Sequence, residues 1–280
     1  MRIPQSVALQ TGPMGVEFLV RGERTAAYLP HAPIPGFATL AVADGRNMLK
    51  ADEVTGAGLW VAHGSVNGVA FGMTYAESSE NAGRIVSTEF VARRGSQSVG
   101  FRQECAWIGP GGSVWLRDVR TVRVHPGSSA GSLIDLTIML VAPDTEEAIL
   151  DAVEAPFLAI RAARPLFPGG GGQFRNSLGE YEVEAVNGRS AAWCGCVGVV
   201  QGETVGFVVL DHPHNPFSPT PWLASEEGLF SPSPFLRHRI ALAPAESLSF
   251  RYRLQTHRGY VDQGWANARL AEFAREPLRP

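Results

Sequence analysis

Short apolar runs that alternate with polar residues at a period of two recur along nearly the whole chain. That spacing suits β-strands and little else. Ten segments read as strands, some alternating and some, such as the run within Thr204–Leu210, continuously apolar: Val16–Val20, Phe37–Ala43, Arg84–Ala92, Gln97–Ile108, Ser113–Val124, Ser132–Ala142, Gly179–Val186, Ser190–Val200, Thr204–Leu210 and Ser247–His257. Gly, Pro, Asn and Asp bound these segments as turn residues do. The expected fold class is all-β, a large antiparallel two-sheet β-sandwich. Two places read as helix. Asp144–Val153 opens with an Asp cap followed by Glu146 and Glu147, and the tail after Asp262 sets Ala266, Leu270 and Phe273 on one face, which gives a short C-terminal helix. No repeat of propeller or solenoid length is visible. Pro165–Gly172 and Pro213–Pro221 interrupt the strands without a change in composition, so they read as functional loops inside one domain spanning residues 1–280.

Charge narrows the function. The chain of 280 residues has 24 basic and 27 acidic residues, with no long block of either sign. It lacks the basic stripe that neutralises a phosphate backbone, so no nucleic-acid partner is expected. Lys50 is the only lysine and lies between Leu49 and Ala51. A phosphate-binding loop of the Gly-Lys-Ser/Thr type is therefore excluded, and Schiff-base chemistry would have to use this one amine. The longest apolar stretches, such as Leu133–Ala142 and Val205–Leu210, are too short to cross a bilayer, and the first residues do not form a secretory signal. A soluble, cytoplasmic protein without a membrane partner is expected, as monomer or homodimer. Cys105, Cys194 and Cys196 read as buried thiols.

Alternation also assigns side chains to faces. In Ser247–His257, Leu248, Phe250, Tyr252 and Leu254 share one face, and Arg251, Arg253, Gln255 and His257 share the other, which must be wet or line a polar cavity. In Ser113–Val124, Asp118 and Arg120 intrude into the row of Val114, Leu116, Val122 and Val124. Unpaired buried charge costs several kcal/mol, so these two should pair with each other or with groups at a pocket wall, unless the strand twists out to solvent there. Asp135 intrudes between Leu133 and Thr137 in the same way. Polar groups facing inward from two neighbouring strands would make a concave polar site.

Two loops concentrate chemistry-bearing residues. One holds Trp60, His63 and Asn67 among glycines; the other is Asp211-His212-Pro213-His214-Asn215-Pro216, directly after an apolar strand. His257 closes its own strand. Imidazole titrates near neutrality and suits proton transfer, while aromatic and amide groups suit a polyhydroxylated ligand. A metal site is not expected, because Pro213 limits convergence of His212 and His214 and no HExxH or paired CxxC accompanies them. No dinucleotide fingerprint follows Gly169–Gly172 and no Gly-x-Ser-x-Gly elbow is present, so no cofactor is expected.

These pieces together resemble the bacterial family labelled methane-oxygenase PmoA-like, a family of unknown function with a galactose-mutarotase-like β-sandwich. The matching segments are GLWVAHGSVNGVAF (Gly58–Phe71), GRIVSTEF (Gly83–Phe90), Asp118-Val119-Arg120, DHPHNPFSPTPW (Asp211–Trp222), GLFSPSPF (Gly228–Phe235) and His257-Arg258-Gly259. The label implies no methane chemistry here, since transmembrane helices and copper ligands are missing from the sequence. The resemblance implies site roles for His63, Asn67, Arg120, Asp211, His212, Asn215 and His257. It also marks two departures, Val54-Thr55-Gly56-Ala57 in place of a His-rich run and Ser87 in place of a His. Mutarotase-like folds imply sugars or related cyclic compounds as ligands, although fold alone does not set function.

The preferred reading is a cofactor-independent enzyme acting by general acid/base chemistry on a carbohydrate or sugar-like small molecule. His63, Asp211, His212 and His257 are its candidate catalytic residues, and Trp60, Asn67, Asp118, Arg120, Arg161, Asn215 and Trp222 its candidate substrate contacts. A non-catalytic sugar-binding module is one alternative. Another is a secondary-metabolism enzyme that rearranges or cyclises a polyketide-like intermediate in a pocket walled by Trp60, Trp107, Trp222 and Phe230. The first reading requires the imidazoles to meet around one hollow.

Overall fold

A computed structural model describes residues 7–42, 45–53, 55–72, 82–95, 98–126 and 131–276. Ala43, Val54 and Gln97, each part of a segment singled out above, lie outside the described residues, as do the first six residues. The chain opens with β1 (Val7–Gly12), β2 (Gly15–Val20), β3 (Glu23–Leu29), β4 (Gly36–Leu40), β5 (Leu59–Val61), β6 (His63–Val66) and β7 (Val69–Phe71). Four long strands follow: β8 (Ala82–Arg94), β9 (Val99–Ile108), β10 (Val114–His125) and β11 (Leu133–Val141). Next come β12 (Ala148–Leu150), β13 (Leu158–Arg161), β14 (Gln173–Asn176), the single helical turn α1 (Val183–Val186), β15 (Trp193–Val200) and β16 (Glu203–Asp211). The last elements are β17 (Trp222–Ala224), β18 (Leu229–Pro232), β19 (Ile240–Leu242), β20 (Ser247–Arg258) and the C-terminal helix α2 (Gln263–Ala274).

The strands form two sheets, as the alternation predicts. One has eight strands in the order β1-β2-β3-β4-β5-β13-β18-β17, and the other has twelve in the order β14-β15-β16-β20-β11-β10-β9-β8-β7-β6-β12-β19. Among the described residues every strand pairing is antiparallel except β7 with β8. Between the sheets lies a large aromatic core that includes Phe18, Phe101, Trp107, Phe157 and Phe250. The outer face of the larger sheet is half-exposed along β9, β10 and β11, and α2 covers it farther along, where Phe273 and Ala266 pack on Trp193, Val208 and Leu210. Asp262 caps this helix by accepting from the Trp265 amide.

Two local expectations fail. Asp144–Val153 is not helical; its Ala148–Leu150 portion is β12, which pairs with β19 and β6. An acidic start favours a helix locally, but edge pairing satisfies the same backbone groups and buries Ala148 and Leu150 completely. Gly179–Val186 is a turn and the short α1 rather than a strand, because Val183 and Val186 are the residues that reach the core and their spacing is helical.

Charge intrusion in β10 resolves as a buried network that ties the sheets together. Asp118 accepts from Arg120 Nε at 2.7 Å, Arg120 Nη2 at 3.0 Å and Trp107 Nε1 at 2.6 Å. Arg120 Nη1 donates to the Pro35 carbonyl at 2.7 Å and to the Tyr28 hydroxyl at 3.3 Å. Tyr28 donates to Gln103 Oε1, and Gln103 in turn donates to the Pro30 carbonyl and Ser87 Oγ, both at 2.9 Å. Tyr28 belongs to β3 of the smaller sheet and the other side chains to β8, β9 and β10 of the larger. Asp135 is different: it pairs across from Arg123 rather than Asp118, so it lies on the outer face, and the two intrusions do not line one hollow.

Removing one partner of a satisfied buried ion pair strands the other, at a typical cost of about 3–5 kcal/mol. Arg120→Met is expected to lower the urea-unfolding free energy by about that much, whereas Glu17→Gln, which breaks the exposed Arg24–Glu17 pair, changes it by less than about 1 kcal/mol. Similar effects of the two substitutions would show that the network does not hold the sheets.

Candidate functional site

The three candidate histidines do not share a hollow. His63 points between the sheets: it is fully inaccessible, its ring centre is 4.8 Å from that of Phe235, and neither ring nitrogen has a hydrogen-bond partner. His257 lies on the outer face beneath α2, with its ring centre 5.8 Å from Trp265 and Nδ1 2.9 Å from the Gly259 carbonyl. Gly206 is opposite it on β16, and a Cβ there would come within 2.8 Å of the His257 ring, so only glycine leaves room. His212 follows β16 at the far end of the same face, packed at right angles on Phe273 with ring centres 4.8 Å apart. Six residue steps separate the two registers along β20, roughly 20 Å. The preferred mechanism read from the sequence, with His63, His212 and His257 around one substrate, has no common location. Burial lowers His63 and His257 to about 4, which fits packed, neutral imidazoles.

Several other candidates are held by structural duties. Asn67, at a positive φ with Gly68, turns the chain between β6 and β7, and its side chain accepts from the Ile149 amide at 2.7 Å and donates to the Glu147 carbonyl. Asp211 accepts from Asn215 Nδ2 at 2.7 Å and the Thr220 amide at 3.0 Å, and Asn215 both accepts from the Arg251 amide and donates to its carbonyl. This set of bonds pins the Pro-rich loop to β20. Burial raises Asp211 to about 6 although Asn215, Ser218 and Thr220 hydrogen-bond to it. Trp60 and Trp222 are buried, donating to the Gly72 and Ala191 carbonyls. Arg161 reaches Asp52 at 3.5 Å and lies 5.9 Å from the Trp60 ring centre. Asp118 and Arg120 belong to the interior network. Of the sequence candidates, only His212 lies beside the open part of the outer face.

That face carries a denser constellation. Across the strands, Arg102, Thr121, Thr137 and Arg251 are aligned in one row and Arg123, Asp135 and Arg253 in the next. His125 Nε2 donates to Asp135 Oδ2 at 2.7 Å while the imidazole stays 28% exposed, which leaves the ring within reach of a ligand. Arg253 grips the same carboxylate through Nε at 2.5 Å and Nη2 at 2.8 Å, and reaches Glu276 at 2.7 Å. Burial alone would raise Asp135, but the bonds from His125 and Arg253 outweigh it and hold the carboxyl below its usual range. Phe273 of α2 sits under both guanidinium groups, 5.3 Å from Arg251 and 4.5 Å from Arg253.

His212 has two donors aimed at it. The His214 amide is 3.1 Å from Nδ1, and Arg251 Nη1 is 3.0 Å from Nε2. Burial and the Arg251 charge lower this imidazole to about 4, so it is neutral and has one acceptor nitrogen. Only one of the two donors can be satisfied at a time.

Sequence reasoning placed Arg251 and Arg253 on a polar face but missed the His125–Asp135 pair and Arg123. Their juxtaposition follows from the β10–β11 register, which has no local sequence signal. Chemically, a carboxylate-oriented, accessible imidazole beside guanidinium and hydroxyl groups can exchange a proton with a bound polar ligand.

The profile of a family of unknown function, DUF6807, matches residues 56–271. The chain belongs to that family. This replaces the methane-oxygenase-like resemblance; of the segments that carried it, Asn67-Gly68 builds a turn and Asp211–Asn215 a loop anchor. No curated protein matches the chain. Among solved structures, the DUF6807 chain is similar to galactose 1-epimerase from Lactobacillus acidophilus, at 8% identity and a TM-score of 0.44, covering 91% of this chain and 100% of that one. It is also similar to a polysaccharide lyase, at 11% identity and a TM-score of 0.34, covering 95% of this chain but 34% of that one. Among the described residues no helix is long and apolar enough to cross a membrane, and no group of three or more His, Cys, Asp or Glu is placed to hold a metal ion.

His63 gives a pH prediction. Its folded value of about 4 lies below the ordinary 6.5, so the unfolded chain takes up the proton first as pH falls. The stability that this neutral ring contributes is complete above about pH 6.5 and is lost toward pH 4, roughly 3 kcal/mol over the whole window. Asp211, raised to about 6, acts in the opposite sense and offsets part of the loss. His63→Leu should therefore flatten the fall in urea midpoint between about pH 7 and about pH 5. An unchanged fall would mean that His63 is not buried neutral.

Proposed function

We propose that this protein is a carbohydrate-acting enzyme whose ligand rests on the outer face of the larger sheet, beside α2, and that it works by general acid/base chemistry without a cofactor. The observation that carries the reading is the His125–Asp135 pair, an imidazole held at 2.7 Å by an ionised carboxylate yet open to the face. Around it, Arg102, Arg123, Thr121, Thr137 and Arg251 offer donors and acceptors on rigid strands, a density suited to a polyhydroxylated molecule. Asp135 orients the ring by accepting from Nε2, which leaves Nδ1 as the acceptor nitrogen, so His125 can take a proton there and return it. Arg253 is a positioning residue, since it fixes Asp135 from the opposite side. The sites proposed from sequence at His63 and His257 serve packing in this reading, and His212 serves to seat Arg251.

Proton NMR of the protein mixed with neutral hexoses and hexuronates reads both anomer interconversion and loss of ring protons on elimination. His125→Gln is expected to reduce whichever turnover appears by about a hundredfold or more, with sugar affinity changed only a few-fold. Full activity in that variant, or no sugar binding by the unaltered protein, would overturn the proposal.

A further inference from the structure

Charge on the outer face is unevenly matched. Arg253 is neutralised by Asp135 and Glu276, and Arg102 by Glu89 and Glu104. Arg123 and Arg251 are different: among the described residues neither has a carboxylate within ion-pair distance. Arg123 is half-buried and makes no hydrogen bond among the described residues, and across β9 its neighbour is Gly100, so no side chain stands beside it on that flank. Arg251 points Nη1 at a His212 nitrogen that is free to accept only when the His214 amide goes unsatisfied. When Nδ1 of His212 accepts from the His214 amide, Nε2 carries the ring hydrogen and the Arg251 donor has no acceptor there; its hydrogen bond to the Glu276 carbonyl is long at 3.4 Å.

The two guanidinium groups flank one place. Arg123 is on β10 and Arg251 on β20, with β11 between them, so their backbones are roughly 10 Å apart across the sheet. Thr121 and Thr137 share the row of Arg251; Asp135, already held by Arg253 and His125, stands on β11 directly across from Arg123, and His125 lies in the row beyond. Burial lowers Arg251, Asp135 and Glu276 oppose that, and Arg253 and Arg123 add to it. Among the described residues neither Arg123 nor Arg251 is closed by a direct ion pair, so each keeps donors for a further acceptor. An oxyanion laid across them would take charge-assisted bonds from both sides, while a sugar ring extending from it would meet the threonine hydroxyls and His125.

We propose that Arg123 and Arg251 clamp a single negative group on the ligand, a carboxylate or a phosphate, which makes the substrate class an acidic saccharide. This rests on the outer face being the sugar site. Bringing the anion in also resolves the competition at His212, because Arg251 can leave the imidazole to the His214 amide.

Calorimetry with four probes, galactose, glucose, galacturonate and glucuronate, and with galactose 1-phosphate as a fifth, separates the possibilities. At least one acidic sugar is expected to bind tenfold or more tightly than its neutral counterpart, since the contacts it adds are charge-assisted. That preference should shrink about tenfold or more in Arg123→Gln and persist in Arg117→Gln, an equal charge change on the same strand at a residue paired with the exposed Asp144. In the unaltered protein the acidic sugar should weaken as sodium chloride is raised, and the neutral one should not. Binding of galactose 1-phosphate in place of the uronates assigns the clamp to phosphate. Equal affinity for acidic and neutral sugars overturns the clamp and leaves the sugar site standing; no binding of any probe overturns both.

Discussion

Asp118 and Arg120 are the charged pair on which the arrangement of the two sheets depends. Alone, either would be a costly intrusion into a core of large aromatics. Together they hold Trp107 and reach the Pro35 carbonyl and Tyr28, and through Tyr28 and Gln103 they join β3 to β8, β9 and β10. Hydrophobic contact between sheets is non-directional and tolerates sliding. A network with every member satisfied does not, so it fixes one relative placement of the sheets. Tyr28 also lies 4.3 Å between ring centres from Phe101, so the polar and apolar parts of the interface agree on that placement.

Once the inner face is committed to packing, the outer face of the same strands is released for other work. Each residue of β10 or β11 that does not point at the core stands on a half-exposed, rigid surface. Rigid strands place side chains more reproducibly than loops do, and His125, Asp135, Arg253 and Arg251 come from three neighbouring strands. Helix α2 completes the border, with Phe273 stacking beneath two arginines and Arg253 reaching Glu276 just past the helix. The Pro-rich loop after β16 has a supporting part: its Asp211 and Asn215 anchor it to β20, and it delivers His212 to Arg251.

Much of the architecture was legible in the sequence because strand periodicity is a local property. The face assignments in Ser247–His257 hold, as do those in Ser113–Val124 from Leu116 onward, where a bulge between Val114 and Leu116 takes Val114 out of the row, and so does the capped helix after Asp262. Asp144–Val153 and Gly179–Val186 were misread because short segments take whatever conformation buries their apolar residues against distant partners. The candidate site was far less legible. Histidines in glycine- and proline-rich loops drew attention, yet His63 and His257 are packed and neutral, and Asn67 and Asp211 hold turns. His125 and Asp135 sit in ordinary strand segments and carry no motif.

By itself, then, the amino-acid order settled the class of secondary structure, which residues of β20 and of most of β10 share a face, the need for Asp118 and Arg120 to find partners, and the start of the terminal helix. Each follows from a period of two, a capping residue or the cost of a bare charge in an apolar row. Tertiary structure alone decided which strands are neighbours and in what register. A shift of one residue between β10 and β11 would carry Asp135 to the opposite face and separate it from His125 and Arg253. The meeting of those side chains is therefore a property of strand pairing over distance, where no single stretch of sequence can record it.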